Sequence, residues 1–120
     1  MKLALLLTFP LLMAIGQLLF KKTAMNLLES SSNVPSGMIE GLIRALYSPW
    51  IYLAILVYFF ATLSWLYILQ RVPISIAYPF AALAMVLVPL AAMFLFEEKL
   101  NWHYWLGTLF IITGITIIAK

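Results

Sequence analysis

Val72-Pro73-Ile74-Ser75-Ile76-Ala77-Tyr78-Pro79 opens a run that reaches Phe96 without an Asp, Glu, Lys, Arg or His and then stops at Glu97-Glu98-Lys99. A helix needs about 20 apolar residues to cross the hydrocarbon core of a bilayer. Val72–Phe96 is long enough, and the rest of the chain repeats the pattern on either side. Upstream, Pro49–Leu69 ends at Gln70-Arg71, and Leu3–Phe20 ends at Lys21-Lys22; downstream, Trp102–Ala119 ends at Lys120. None of these runs contains Asp, Glu, Lys or Arg. The expected fold is all-α: four transmembrane helices over about 3–20, 49–69, 72–96 and 102–119, in a single membrane domain covering residues 1–120. Strands are excluded because open sheet edges cannot face lipid and four segments cannot close a barrel.

Composition agrees. Hydrophobic residues make up 66 % of the 120 positions and charged residues 9 %, against about 25 % charged in soluble domains. So few charges cannot keep a water-facing surface soluble, so lipid is the main solvent. Lys2 before an apolar stretch, with Ala14-Ile15-Gly16 as a small-x-small step, imitates a signal peptide. The apolar run continues to Phe20 and further spans follow, which favours a retained helix. There are no cysteines, which rules out disulfides, a thiol nucleophile and thiolate metal sites. The net charge of +3 is dispersed, with no basic run suited to nucleic acid. No nucleophile–base pair, metal cluster or phosphate loop stands out, so neither an enzyme nor a cofactor is expected.

Aromatic residues mark the membrane surface. Tyr47, Trp50 and Tyr52 precede or open the second span, and Trp102, Tyr104 and Trp105 open the fourth. Both groups fall on one side, as an aromatic belt does. His103 sits in this belt as an anchor, since no second His or Cys is present to share a metal. The loop from Lys21 to Ser48 divides in two. Glu29–Gly37 is rich in Ser, Asn, Pro and Gly and reads as a turn. Over about 38–47, Ile39, Leu42, Ile43 and Leu46 fall at helical spacing, with Glu40 and Arg44 on the other face. That pattern predicts a short interfacial helix, read first as an anchor resting on lipid and second as a gate or headgroup-capturing element.

Charge balance bears on topology. Lys2, Arg71 and Lys120 lie on one side of the membrane, and Lys21, Lys22, Arg44 and Lys99 on the other. Orientation follows a Lys/Arg difference, and the amino terminus cancels this one. The chain is therefore expected to insert both ways up and to pair as an antiparallel, dual-topology dimer; one fixed topology set by Lys21-Lys22 or by a partner is the alternative. Transporters commonly place their site between inverted repeats, and two antiparallel copies would supply the inversion that this chain lacks internally. Gly107, Ile111 and Gly114 share a stripe on the fourth span, where small residues let helices approach closely. Glycine is also simply common in membrane helices.

Polar groups within the spans are the candidate site. Gln17 lies one helical turn from Lys21, and together they could hold an anionic headgroup. Pro79 and Pro89 lie inside the third span and leave carbonyls near Ser75 and Met85 without helical donors. Ser75, Tyr78, Ala82, Met85, Pro89 and Ala92 form one stripe. A cavity lining and a helix-packing seam with Tyr78 bonded internally both fit it. Ser64, Trp65 and Tyr67 end the second span within reach of the same space, or belong to the belt. Glu97 and Glu98 precede Asn101, a candidate cap of the fourth helix, and favour its positive end and Lys99 over proton coupling.

Val72–Pro79, Glu98-Lys99-Leu100, the Gly107/Gly114 pair and Ile15-Gly16-Gln17-Leu18-Leu19-Phe20-Lys21-Lys22 together resemble the drug/metabolite transporter superfamily, in its four-helix, small multidrug resistance-like form. Spans one, three and four carry the likeness; the long loop and span two match poorly. The small multidrug exporters carry an embedded Glu where this chain has Met13, and a Trp where it has Ala81. Proton-coupled drug export therefore does not carry over. Gly16-Gln17-Leu18, Lys21-Lys22, Val72-Pro73 and Ile76-Ala77-Tyr78-Pro79 are similar to the small subunits of the aminoarabinose-phosphoundecaprenol flippase. What this resemblance implies is flipping of a polyprenyl-phosphate-linked sugar across a bacterial inner membrane, by a homodimer or by a heterodimer with a paralogous chain. On that reading Lys21, Lys22 and Arg71 capture phosphate, and Gln17, Ser75, Tyr78 and Ser64 contact the headgroup. A small multidrug or metabolite exporter, and a non-transporting accessory subunit of a membrane glycosyltransferase, are the alternatives.

Overall fold

The structure is a computed structural model that describes residues 2–30 and 37–120, and every regular element among the described residues is a helix. Helix α1 runs from Lys2 to Ser30. It continues well past Phe20, where a loop was expected. Charge at Lys21-Lys22 ends the uninterrupted apolar run, but Lys, Ala, Met, Leu and Glu are good helix formers and continue the helix beyond it. Glu29 and Ser30, expected in the polar turn, therefore belong to α1; the rest of that turn, 31–36, lies outside the described residues.

Helix α2, Met38–Tyr47, is the amphipathic segment. Ile39, Leu42, Ile43 and Leu46 are all exposed, while Arg44 Nη2 meets Glu40 Oε1 at 2.8 Å on the other face. Ser48 ends α2 and caps α3, Pro49–Leu69. Pro49 sits in the first turn of α3, where its missing N–H is harmless.

Helices α1 and α3 pack along most of their length. On α3 the buried positions are Ala54, Ala61 and Ile68, each seven residues from the next, so one face returns every two turns. Small side chains on that face let the backbones approach. The closest approach is at Gly16, which is buried and lies directly under the Tyr58 ring. Thr8 and Ser64 hydroxyls meet at 3.0 Å across the same interface.

The third span is broken. Helix α4 covers Ile74–Ala81 and α5 covers Ala84–Leu95, with Pro73 capping α4 rather than lying within its first turn. At the break the backbone bonds shorten to three-residue steps: Ala82 N–H to Pro79 O at 3.1 Å, Leu83 to Phe80 at 3.0 Å and Met85 to Ala82 at 2.9 Å. Pro79 cannot donate to Ser75, and its ring pushes that carbonyl away, so the helix tightens and re-aims one turn later.

Helix α6, Trp102–Ala119, starts at Asn101, whose side chain accepts the Trp102 N–H at 2.8 Å. Tyr104 donates its hydroxyl to the Val86 carbonyl at 3.0 Å and ties α6 to α5. A small core of Leu6, Ile68, Val72, Ala77, Phe80 and Ile115 gathers where the α3–α4 turn meets α6. Four stretches are long and apolar enough to cross a membrane: Lys2–Glu29, Pro49–Leu69, Ile74–Leu95 and Trp102–Ala119. The chain is a multi-pass membrane protein, and many of its Leu, Ile and Phe side chains are exposed on the bundle's surface.

Candidate functional site

The break between α4 and α5 opens a cavity of about 640 Å³ on the bundle's side. Small-molecule pockets span roughly 300–1,000 Å³. The opening has a local cause. Ala81, Ala82 and Ala84 put minimal side chains at the bend, and the bend itself swings α5 away from the line of α4. One wall comes from α1, where Phe9, Met13 and Gln17 follow at four-residue steps and so share a face. Trp65 of α3 and Tyr78 of α4 form the next wall, and Met85, Val88 and Pro89 of α5 close it.

The cavity is mostly apolar, and its polar lining residues, Gln17, Tyr78 and the indole of Trp65, are all neutral. The Gln17 amide and the Tyr78 hydroxyl both reach it. Tyr78 is 68 % exposed, so it is not locked into an internal hydrogen bond as a packing seam would have required. Phe9, Trp65 and Tyr78 make a continuous aromatic wall: Phe9 and Trp65 centroids lie 4.4 Å apart, and Trp65 meets Tyr78 edge-on at 6.4 Å. No carboxylate and no cation lines this space. Met13 and Ala81 both lie on its wall.

The other expected site residues lie elsewhere. Ser75 is exposed near the start of α4 and does not line the cavity. Ser64 bonds Thr8 and joins α1 to α3 instead of facing the cavity. Of the stripe on the third span, Tyr78, Ala82, Met85 and Pro89 line the space, while Ala92 is buried in packing. Each of the three proposed phosphate-binding cations has a partner. Lys21 Nζ lies 3.1 Å from Glu98 Oε1, Lys22 Nζ sits 3.8 Å above the Trp50 ring, and the Arg71 guanidinium stacks 4.4 Å from the Tyr67 ring centroid. They do not form one cluster. Trp50, under Lys22, and Arg71 stand at opposite ends of α3, roughly 30 Å apart at about 1.5 Å per residue.

On α6, Gly107 and Gly114 have open space where a side chain would stand. Ile111, between them, turns toward the chain's own core. Among the described residues no three His, Cys, Asp or Glu side chains come together to hold a metal. Reading from sequence missed Phe9, Met13, Ala81, Ala84 and Val88 as cavity lining. Phe9 and Met13 were accessible by stepping back four residues at a time from Gln17; Ala84 and Val88 depend on the break. The Lys21–Glu98 pair joins residues far apart in the chain, and no local spacing announces it.

A profile of the EamA-like transporter family matches residues 3–120. The chain belongs to the EamA-like transporter family. Among curated relatives, the probable 4-amino-4-deoxy-L-arabinose-phosphoundecaprenol flippase subunit ArnE of Pseudomonas fluorescens is 38 % identical over 73 residues, covering 61 % of this chain and 64 % of that one. The protein of the same name in Pseudomonas aeruginosa is 41 % identical over 81 residues, 68 % of this chain and 70 % of its own length. That of Aeromonas salmonicida is 36 % identical over 76 residues, 63 % of this chain and 67 % of that one. The match thus spans about two thirds of each relative. No solved structure matches the chain.

Proposed function

We propose that this chain is a subunit of a flippase that carries a polyprenyl-phosphate-linked sugar across the bacterial inner membrane. The observation that carries the reading is the cavity at the α4–α5 break: it is mostly apolar, open at the side, and its polar lining residues, Gln17, Tyr78 and Trp65, are all neutral. A cargo with a polar headgroup and a long apolar tail suits such a space. The headgroup enters between α1 and α4–α5 while the tail stays in lipid. The Phe9–Trp65–Tyr78 wall offers aromatic faces to the C–H face of a sugar ring, and Gln17 and Tyr78 offer hydrogen bonds to its hydroxyls. A cationic drug would find no carboxylate there, since Met13 and Ala81 stand at the wall positions concerned.

Lys21 and Lys22 at one end and Arg71 at the other then act in turn rather than together, each meeting the phosphate at one membrane surface. The flippase works as an antiparallel pair, with a second copy or a paralogous chain. Two features support pairing: the Lys/Arg counts on the two sides of the membrane are nearly equal, and α6 leaves Gly107 and Gly114 open to a neighbour. The test is reconstitution of the chain, alone and with a co-expressed paralogue, in vesicles carrying a fluorescent short-chain polyprenyl phosphate sugar. Loss of outer-leaflet fluorescence to a membrane-impermeant quencher follows flipping. The expected result is flipping that Gln17→Leu slows about tenfold, the worth of one polar contact of about 1.4 kcal/mol. Absence of flipping in both preparations overturns the proposal.

A further inference from the structure

A second pocket, of about 440 Å³, lies where the water-facing end of α1 meets the start of α3 and the end of α5. It is distinct from the cavity at the break and shares no lining residue with it. Leu95 and Phe96 of α5 and Trp50 of α3 give it an apolar floor at the depth of the aromatic belt. Lys22, Asn26 and Glu29 of α1 supply its polar side. This arrangement exists only because α1 continues as a helix beyond the membrane. At four- and three-residue steps, Lys22, Asn26 and Glu29 share one face, with the cation and the carboxylate roughly 10 Å apart along the axis. Lys22 is held over Trp50, which leaves its ammonium at the pocket. Glu29 is exposed and makes no ion pair among the described residues.

A pocket with one fixed cation, one carboxylate two turns away and an apolar floor is complementary to a zwitterionic lipid headgroup. We infer that this pocket binds a lipid phosphate whose headgroup also carries an amine, with the phosphate at Lys22 and the ammonium at Glu29. The inference rests on the flippase reading for the place of the pocket, which is the surface station before or after the cavity at the break. It also adds a carboxylate, which the cavity lacks: Glu29 offers an ammonium a full opposite charge, beyond what neutral polar groups and aromatic faces supply. Two sources have the required chemistry: an aminosugar on a polyprenyl phosphate, and the phosphoethanolamine headgroup of bulk bilayer lipid.

The experiment measures lipid retention by the full chain in phosphatidylcholine nanodiscs by native mass spectrometry. One arm compares a polyprenyl phosphate aminopentose with its N-acetylated form; the other compares phosphatidylethanolamine with phosphatidylglycerol. The expected preference for the free amine is about tenfold or more, since a hydrogen bond to a charged group contributes on the order of 1.5–3 kcal/mol. Glu29→Gln should abolish that preference while still retaining unsubstituted polyprenyl phosphate, and Lys22→Gln should weaken every phosphate-bearing lipid. Both positions are partly or fully exposed, so neither change threatens the fold. An amine preference that depends on Glu29 in the polyprenyl arm supports the inference with the flippase cargo as source. The same dependence in the phosphatidylethanolamine arm alone, with no polyprenyl lipid retained, supports the zwitterion pocket and sinks the flippase reading. No amine preference in either arm, or one that survives Glu29→Gln, overturns the inference.

Discussion

Gly16→Ala tests the packing on which the cavity depends. An ideal Cβ at Gly16 would stand 2.6 Å from Tyr58 Cε2, 3.0 Å from Cζ and 3.1 Å from Cδ2. Carbon atoms prefer about 3.5–4.0 Å, so the ring or the helix must give way by about 1 Å. The ring has little freedom to do so, because it also stacks on Phe20 at 5.0 Å with a 25° tilt. Over-packing of this kind destabilises by about 1–3 kcal/mol. Replacing a helical Gly with Ala recovers up to about 1 kcal/mol of helix propensity, so the expected net loss is about 0–2 kcal/mol. A net change that small is ambiguous alone, and the coupling to Tyr58 is the informative quantity. In a Tyr58→Leu background the clash is gone and Gly16→Ala should be neutral or stabilising, which predicts a coupling of about 1–3 kcal/mol. Reversible unfolding by SDS in mixed micelles, run on both single variants and the double, measures it. The same variant should also slow flipping, because displacing α1 moves Gln17, next in the chain, from the cavity wall. Equal penalties for Gly16→Ala in the two backgrounds would refute this account of the α1–α3 contact.

Glu98→Gln breaks the Lys21 pair, whose side chains are 48 % and 40 % exposed; unfolding stability should fall by less than about 1 kcal/mol, and a loss of several kcal/mol would show the pair to be structural. Trp65→Ala removes the centre of the aromatic wall and should reduce cargo retention by about tenfold or more on the scale of one aromatic contact, about 1.5 kcal/mol; retention equal to wild type in native mass spectrometry would place the headgroup elsewhere. The chain has no cysteine, so a single Ala119→Cys, which leaves every Lys and Arg in place, can be labelled cleanly. Dual insertion predicts labelling by an impermeant maleimide from both faces of the membrane, and labelling from one face alone excludes it.

The distribution of charge made the membrane class legible. A side chain's preference for lipid or water is a property of the residue itself, so uncharged runs closed by Lys21-Lys22, Arg71 and Glu97-Glu98-Lys99 marked the spans without any knowledge of their packing. The periodicity of Ile39, Leu42, Ile43 and Leu46 marked the interfacial helix for the same reason, because a helical face follows from local spacing. Gln17 and Tyr78 stood out because a polar group inside a span is costly wherever its helix packs.

Tertiary structure decided the rest. Whether the stripe on the third span lined a cavity or a seam depended on what stood opposite it, and the sequence pattern fitted both. Pro79 announced a disturbed helix, but which face of α4 is buried, with Ala77 and Phe80 against Leu6, Ile68 and Ile115, was set by the fold. Ser64 was expected to reach the cavity; its rotation toward Thr8 put it in the α1–α3 contact instead. The reach of α1 to Ser30 was hidden by equating the end of the apolar run with the end of the helix. Lipid thickness limits the apolar run, whereas backbone hydrogen bonding and propensity limit the helix. The two limits lie about ten residues apart here, enough to carry Lys22, Asn26 and Glu29 onto one face above Trp50. Sequence named the charged residues at that surface, and only the folded chain set a cation and a carboxylate in the same pocket.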